Sequence, residues 1–160
     1  MRIALASATA VLFILPAMAA EEVPLDVKSG AWNITLTQIV MPEESVLAQL
    51  PPDQRAQVEA QARSSGVPQS STQCQTDEDR QKSLIADFVQ TGCTPVISES
   101  TPQRFRAEVT CDGGNVVTKI EADAPNAETL VMKVDASKKG GGHTIIDIAG
   151  TFASDTCPAQ

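Results

Sequence analysis

The chain has 160 residues, with 12 basic and 20 acidic side chains, a formal net charge of −8, one Trp and no Tyr. Nucleic acids and anionic membrane surfaces both require a basic protein surface, so the acidic balance argues against either partner. The shortage of aromatic side chains also argues against a site on which bases stack.

The N-terminal residues predict an export signal. Arg2 precedes an apolar run over residues 3–15, and Pro16-Ala17-Met18-Ala19 supplies small residues of the kind that a signal peptidase recognises. We therefore predict a cleavable signal peptide over 1–19, a single domain over 20–160 and a periplasmic location. The apolar run is shorter than the roughly 20 residues of a membrane span, and no later segment reaches that length. We therefore expect no membrane span, and because no cysteine follows the cleavage region, we expect no lipid anchor.

The first half of the mature chain mixes strands with polar helices. Alternation of apolar and polar residues predicts a half-buried strand, and the following stretch, rich in Glu, Gln and Ala, predicts helices. A capping Thr before three acidic residues marks the start of a further helix. In chain order we predict a strand over 32–40, helices over 43–49 and 52–64, a strand over 70–75 and a helix over about 77–85.

The second half predicts an antiparallel meander. Four alternating stretches are separated by the turn signals Asp112-Gly113-Gly114-Asn115 and Pro125-Asn126 and by the loop 138–142. Hairpin pairing across these turns places the apolar residues of all four strands on one sheet face. A register slip of one residue would turn the apolar residues of a strand to the other face. The predicted cross-strand pairs are Val109–Thr118, Ala107–Ile120, Phe105–Ala122, Ile120–Met132, Ala122–Leu130, Val134–Ile146 and Met132–Ile148.

Together these elements predict a mainly β fold of the α+β class. We expect an antiparallel meander of about seven strands, whose twist curls it toward a half or closed barrel. A helical insertion at about 43–65 is expected to cover one mouth of the curled sheet, and a short helix is expected at about 77–85.

Four cysteines, Cys74, Cys93, Cys111 and Cys157, follow the predicted signal peptide. An even number of cysteines in an exported domain predicts disulfides. Cys93 and Cys111 lie nine residues on either side of Pro102, in a predicted turn, so they face each other near disulfide distance. We therefore favour Cys93–Cys111, and Cys74–Cys157 by elimination. The alternative, Cys74–Cys93, would close a loop of about 20 residues.

No constellation of residues predicts catalysis, a cofactor or a metal site. His143 is the only histidine, and Asp147 would lie about 13 Å from it along a strand. The acidic clusters at 43–44 and 77–79 fall at predicted helix starts, where the helix dipole accounts for them. The cysteines lack the close pairs of redox and zinc sites. We therefore expect no enzymatic activity, no catalytic, cofactor-binding or metal-binding residue, and no cofactor.

Several short motifs, in their order along the chain, resemble a known family. Gly30-Ala31-Trp32 opens the first strand, the run 50–56 (Leu-Pro-Pro-Asp-Gln-Arg-Ala) opens a polar helix, and Cys74 precedes the acidic cluster 77–79. A hairpin bounded by cysteines and a cysteine near the C-terminus follow. This order resembles a bacterial family of small exported proteins, a domain of unknown function, over nearly all of the mature chain. The resemblance implies a periplasmic location, and it carries over no activity and no catalytic residue.

Two functions are compatible with this sequence. The first is a non-enzymatic periplasmic protein that binds a small apolar ligand on the concave sheet face, which a cavity of at least ~300 Å³ would favour. The second is an envelope structural module that binds a protein partner through the helical insertion or an edge strand. The residues expected to face a ligand, or else to fill the core, are Ala107, Val109, Ile120, Met132, Ile146 and Ile148.

Overall fold

The computed structural model describes residues 22–157, and the predicted signal peptide over 1–19 lies outside them. Strands dominate the described chain, and short helices connect the first three of them. The elements are β1 (Gly30–Met41), α1 (Glu44–Leu47), α2 (Pro52–Ser64), β2 (Pro68–Gln75), α3 (Asp77–Arg80), α4 (Ala86–Gln90), β3 (Thr94–Ser100), β4 (Arg104–Cys111), a 3₁₀ turn (Asp112–Gly114), β5 (Val116–Asn126), β6 (Thr129–Lys138) and β7 (His143–Ser154).

One antiparallel sheet contains the seven strands in the order β2-β1-β7-β6-β5-β4-β3. Strands β3 to β7 form the predicted meander, and β7 then pairs with β1. The edges of the sheet are β2 and β3, so the sheet curls without closing. The prediction of a mainly β, seven-stranded antiparallel meander is therefore confirmed.

The register of two hairpins is the predicted one. Val109 lies opposite Thr118 in the β4–β5 pair, and Val134 lies opposite Ile146 in the β6–β7 pair. In both cases the turn between the strands carries a glycine-rich signal, which fixes where each strand ends. Alternation and turn chemistry together were therefore sufficient for these two hairpins.

The predicted β5–β6 register is wrong by two residues. Ile120 lies opposite Val134 rather than Met132, and the predicted pair Ala122–Leu130 is displaced in the same way. The reason is that β5 continues through Pro125, across an irregularity between Asp123 and Asn126, before the chain turns. A shift of two residues keeps each side chain on its own face, so the apolar face is unchanged.

The main core lies on one sheet face, which we call the concave face. Phe105 and Val109 are completely buried there. Two segments cover them: the N-terminal segment 22–29, through Leu25, and the segment 84–88, through Ile85 and its neighbours. Burying such side chains contributes roughly 1.5–3 kcal/mol each. The concave face of β4 and β5 is thus a filled core.

The helical insertion lies on the opposite, convex face, so the expectation that it covers a mouth of the concave face is wrong. Met41 and Leu47 are buried and line the same cleft beneath α1 and α2. Just after α2, a Cβ at Gly66 would lie 2.8 Å from Thr37 Cγ2 and 2.9 Å from Ile39 Cγ1. The insertion packs there because β1 carries apolar side chains on both of its faces at this end.

The helix predicted over 77–85 ends early, at Arg80, and a second helix begins only at Ala86, beyond the predicted range. Thr76 and Asp79 form a reciprocal capping box that starts α3. After α3 ends, the Glu22 carboxylate accepts a hydrogen bond from the Leu84 N–H at 2.6 Å, before α4 begins. The interruption turns Leu84 and Ile85 together into the core, which one continuous polar helix would not achieve.

Two disulfides join the ends of elements. Cys93 and Cys111 connect the start of β3 to the end of β4, with a Cα–Cα distance of 4.4 Å. Cys74 and Cys157 connect the end of β2 to the segment after β7, with a Cα–Cα distance of 5.4 Å. Cys93–Cys111 is the pairing that the predicted hairpin favoured, and Cys74–Cys157 is the one favoured by elimination.

Candidate functional site

The concave face of β1 and β7 is only partly covered. Ile34 and Leu36 on β1, and Ile146 and Ile148 on β7, are half-buried, and Val40 is 61% exposed. These residues belong to the same apolar face as the main core, but the covering segments pack mainly over the strands farther along the sheet. A strip of apolar surface therefore remains open on the half of the sheet that contains the β1–β7 pair.

Part of this strip forms a depression of about 400 Å³, which we call the groove. Its walls are apolar, and its rim is polar because β2 carries amides and α3 carries a carboxylate. The residues that line the groove are Trp32, Ile34, Leu36, Leu130 and Ile148, with Gln73, Cys74, Gln75 and Asp79 at the rim. This volume lies within the usual range of small-molecule sites, about 300–1,000 Å³.

Trp32 is buried, at 1% exposure, beneath the inner wall of the groove. Its indole Nε1 donates a hydrogen bond to the Lys28 carbonyl oxygen at 2.9 Å, and its ring packs edge-to-face on Phe152 at 5.9 Å. The neighbouring position is Gly150, where a Cβ would lie 3.0 Å from Ile34 Cδ1 and 3.3 Å from Trp32 Cε3. The absence of a side chain at Gly150 therefore lets the indole and Ile34 pack down onto the sheet.

A smaller cavity of about 120 Å³ adjoins the groove. Both depressions are lined by Gln75, Asp79 and Leu130, so they adjoin along these residues. The smaller cavity lies between the N-terminal segment, α3 and β6. Its apolar walls include Leu25, Val27, Leu84 and Met132, and its charged residues are Glu22, Asp79, Arg80 and Lys82.

The charges at the junction of the two cavities are mostly paired. Lys82 Nζ donates to Asp79 Oδ1 at 2.6 Å, and Thr76 donates to Asp79 Oδ2 from both its backbone N–H and its hydroxyl. The hydrogen bond from Lys82, followed by those from Thr76, holds the pKa of Asp79 well below its ordinary value. The same contact raises the pKa of Lys82. The pair is therefore a fixed, ionised part of the rim.

The six residues predicted to face a ligand or fill the core are divided by the structure. Ala107, Val109 and Ile120 are buried, at 5%, 0% and 3% exposure, in the main core beneath the segment 84–88. The other three are half-buried: Met132 lines the smaller cavity, Ile148 lines the groove, and Ile146 lies on the open strip. The sequence did not indicate the β1 residues of the groove, although their alternation placed them on an apolar face.

His143 has a partner that the sequence analysis missed. Its Nε2 lies 2.6 Å from Asp135 Oδ1 across the β6–β7 hairpin, whereas Asp147 makes no hydrogen bond to it within the described chain. Asp135 is a diagonal neighbour of His143, because Ser137 lies directly opposite it. The pair lies on the convex face and fastens the end of the hairpin, away from the groove.

Among residues 22–157, no group of three or more His, Cys, Asp or Glu side chains could hold a metal ion. The four cysteines are all in disulfides. In the same part of the chain, no helix has both the length and the apolar character needed to cross a membrane.

The comparisons with known proteins identify a family. No match to this chain was found among curated proteins or among solved structures. A family model described as "Protein of unknown function (DUF3617)" matches residues 27–157. This range includes all seven strands, both disulfides and every residue that lines the groove. The chain therefore belongs to the DUF3617 family of proteins of unknown function.

Proposed function

We propose that this protein is a non-enzymatic periplasmic protein that binds a small apolar ligand in the groove of the concave face. The observation that carries the proposal is the uncovered apolar strip on β1, β6 and β7, where Ile34, Leu36 and Ile148 remain half-buried beside a filled core. An extended apolar depression rimmed by polar groups is typical of ligand-binding sites.

The energetics of the groove favour an apolar occupant. Each Å² of apolar surface removed from water contributes roughly 25 cal/mol, so a ligand that covers the strip gains from both its own surface and that of the protein. The rim supplies the amide groups of Gln73 and Gln75 as hydrogen-bonding partners. The groove is fixed by the sheet and by the Cys74–Cys157 disulfide at its rim, which reduces the entropy lost on binding.

The periplasmic and non-enzymatic parts of the proposal rest on separate observations. Export is supported by the composition of residues 1–19, and the two disulfides are typical of an oxidising compartment. The absence of enzymatic activity is supported by the chemistry near the groove, where the described lining residues include no cysteine thiol, no histidine and no cluster of metal ligands.

Native mass spectrometry tests the proposal. The protein would be produced with its own residues 1–19, isolated gently from the envelope fraction and measured under non-denaturing conditions. We expect a discrete added mass that is lost on denaturation, together with a chain mass that corresponds to residues 20–160 with two disulfides. A chain that carries no added mass and binds no apolar probe would contradict the ligand-binding function.

A second candidate, a partner-binding module, is favoured by α2. This helix has 13 residues, and none of them is buried, so the core does not explain its length. Its outer surface includes the exposed residues Gln54, Gln57 and Gln61. Changing these three residues to Arg should leave folding intact and remove a partner that binds there in a pull-down from envelope extract. Retention of the same partner by the triple variant would contradict this function.

A further inference from the structure

An arginine beside the groove is poorly satisfied by its neighbours. Arg80 lines the smaller cavity together with Leu84, Leu130 and Met132, and its side chain is only 30% exposed. Within the described chain, its Nη1 donates to Ser29 Oγ at 3.4 Å and to Asp77 Oδ1 at 3.5 Å. Both distances are at the long limit of a hydrogen bond, so these contacts are weak.

The Nε atom of Arg80 is buried and has no hydrogen-bond partner among residues 22–157. Every other buried side-chain nitrogen or oxygen in these residues has a partner. A buried donor without a partner is costly, and folded proteins keep few of them. Nε itself is buried, so a further molecule would complete the hydrogen bonding of this weakly held guanidinium through its terminal nitrogens.

The neighbouring carboxylates are held mainly by other donors. Asp77 accepts a hydrogen bond from the Ser29 hydroxyl, and Asp79 is bound by Lys82 and Thr76. Glu22 accepts from the Ser83 hydroxyl and from the Leu84 N–H. Arg80 is therefore the more weakly paired of the two cations of this cavity, because Asp79 holds Lys82 at 2.6 Å.

We propose that the ligand of the groove is an amphiphile with one apolar chain and an anionic head group, and that Arg80 binds the head group. This inference rests on the proposed function and names its ligand class. The planar guanidinium suits a carboxylate or phosphate, with which it forms paired hydrogen bonds. Leu130 lines both cavities, and the proposal places the apolar chain past this residue, against Ile34 and Ile148.

A titration with two matched probes tests the inference. Decanoate and decanol have chains of the same length, but only decanoate is anionic. Trp32 lies directly beneath the groove and is the single Trp of a chain without Tyr, so its fluorescence reports changes at this place. We expect the disulfide-bonded protein to bind decanoate about tenfold more tightly than decanol, as a charge-assisted hydrogen bond predicts.

Variants of Arg80 test whether this residue causes the preference for decanoate over decanol. Arg80→Gln should bind both probes with similar affinity, and Arg80→Lys, which keeps the charge, should retain part of the preference for decanoate. The control is Arg104→Gln, which removes an equal charge from an exposed pair with Glu99 near the other edge of the sheet. It should leave the preference unchanged.

The possible outcomes distinguish the ligand-binding function from the role of Arg80. If neither probe binds, the proposed ligand-binding function fails and the inference fails with it. If both probes bind the unmodified protein equally, or if a folded Arg80→Gln variant keeps its tenfold preference, the role of Arg80 is overturned while the ligand-binding function stands. Near-ultraviolet circular dichroism establishes that each variant is folded, and Arg80→Lys provides the test should Arg80→Gln fail to fold.

Discussion

A carboxylate placed in the groove should block ligand binding without unfolding the protein. Ile148 is half-buried and lines the groove, so Ile148→Glu keeps its charge partly in water while the groove is empty. A bound ligand would cover that charge. The lost apolar contact is worth about 1 kcal/mol for half an isoleucine side chain, and the desolvation of the carboxylate adds at least about 1 kcal/mol. The affinity should therefore fall by about 30-fold or more.

The neighbouring residue provides a matched control for this substitution. Ala149 is exposed and points to the convex face of the same strand, so Ala149→Glu introduces the same charge one residue away. Decanol is the appropriate probe, because an uncharged ligand excludes simple repulsion, and its affinity is measured from Trp32 fluorescence. Equal affinities for the two variants would refute the placement of the ligand on the concave face.

Three further predictions concern stability. A Cβ at Gly30, where φ is +137°, would lie 2.3 Å from the Ser154 carbonyl oxygen. Gly30→Ala should therefore lower the free energy of unfolding in urea by about 2–4 kcal/mol, and Gly142→Ala, in open space, by less than about 1 kcal/mol; equal effects would contradict this. Replacing both Cys74 and Cys157 by Ser removes a cross-link over a sequence separation of 83 and should cost up to about 4.5 kcal/mol, which an unchanged urea midpoint would disprove. The hydrogen bonds from Lys82 and Thr76 lower the pKa of Asp79, so their stabilisation is complete above its ordinary pKa of 3.8 and is lost as the pH falls toward the folded value. A carbon NMR titration that gives Asp79 an ordinary pKa would show this to be wrong.

The strands of this protein were predictable because their signals are local. Period-two alternation fixes which side chains share a face, and glycine-rich turns fix the register of the hairpins that they close. The β5–β6 hairpin shows the limit of this reasoning, since a strand that continues through Pro125 displaces the turn. The error amounts to two residues and leaves the faces correct, as the period of a strand requires.

The covering of the sheet was less predictable, because it depends on contacts between distant segments. No turn connects β1 to β7, so their pairing, and with it the position of the groove, does not follow from local signals. The sequence does contain a reason for α2 to pack on the convex face, because Ile39, Met41 and Ile145 are apolar residues on that face. They indicated that this face also needs a cover.

In the candidate site, too, the strand faces were predictable and the covering of those faces was not. Ile148 was placed on the correct face by alternation alone, and it lines the groove. Val109 and Ile120 were placed on that face equally well, but Ile85 and its neighbours bury them. The role proposed for Arg80 depends on the packing of α3 beside the N-terminal segment and β6, which the polar sequence after Thr76 did not indicate. Sequence pattern therefore identifies a face, and tertiary packing decides which part of it stays open.

Methyl-selective NMR of the isoleucine and leucine residues during a titration with decanoate tests the central claim most directly. Binding in the groove predicts shifts of the Ile34, Leu36, Leu130 and Ile148 methyl groups, while those of Ile39 and Ile145 on the convex face stay in place. Shifts confined to the convex residues, or no shift in either set at saturating probe, would contradict ligand binding on the concave face.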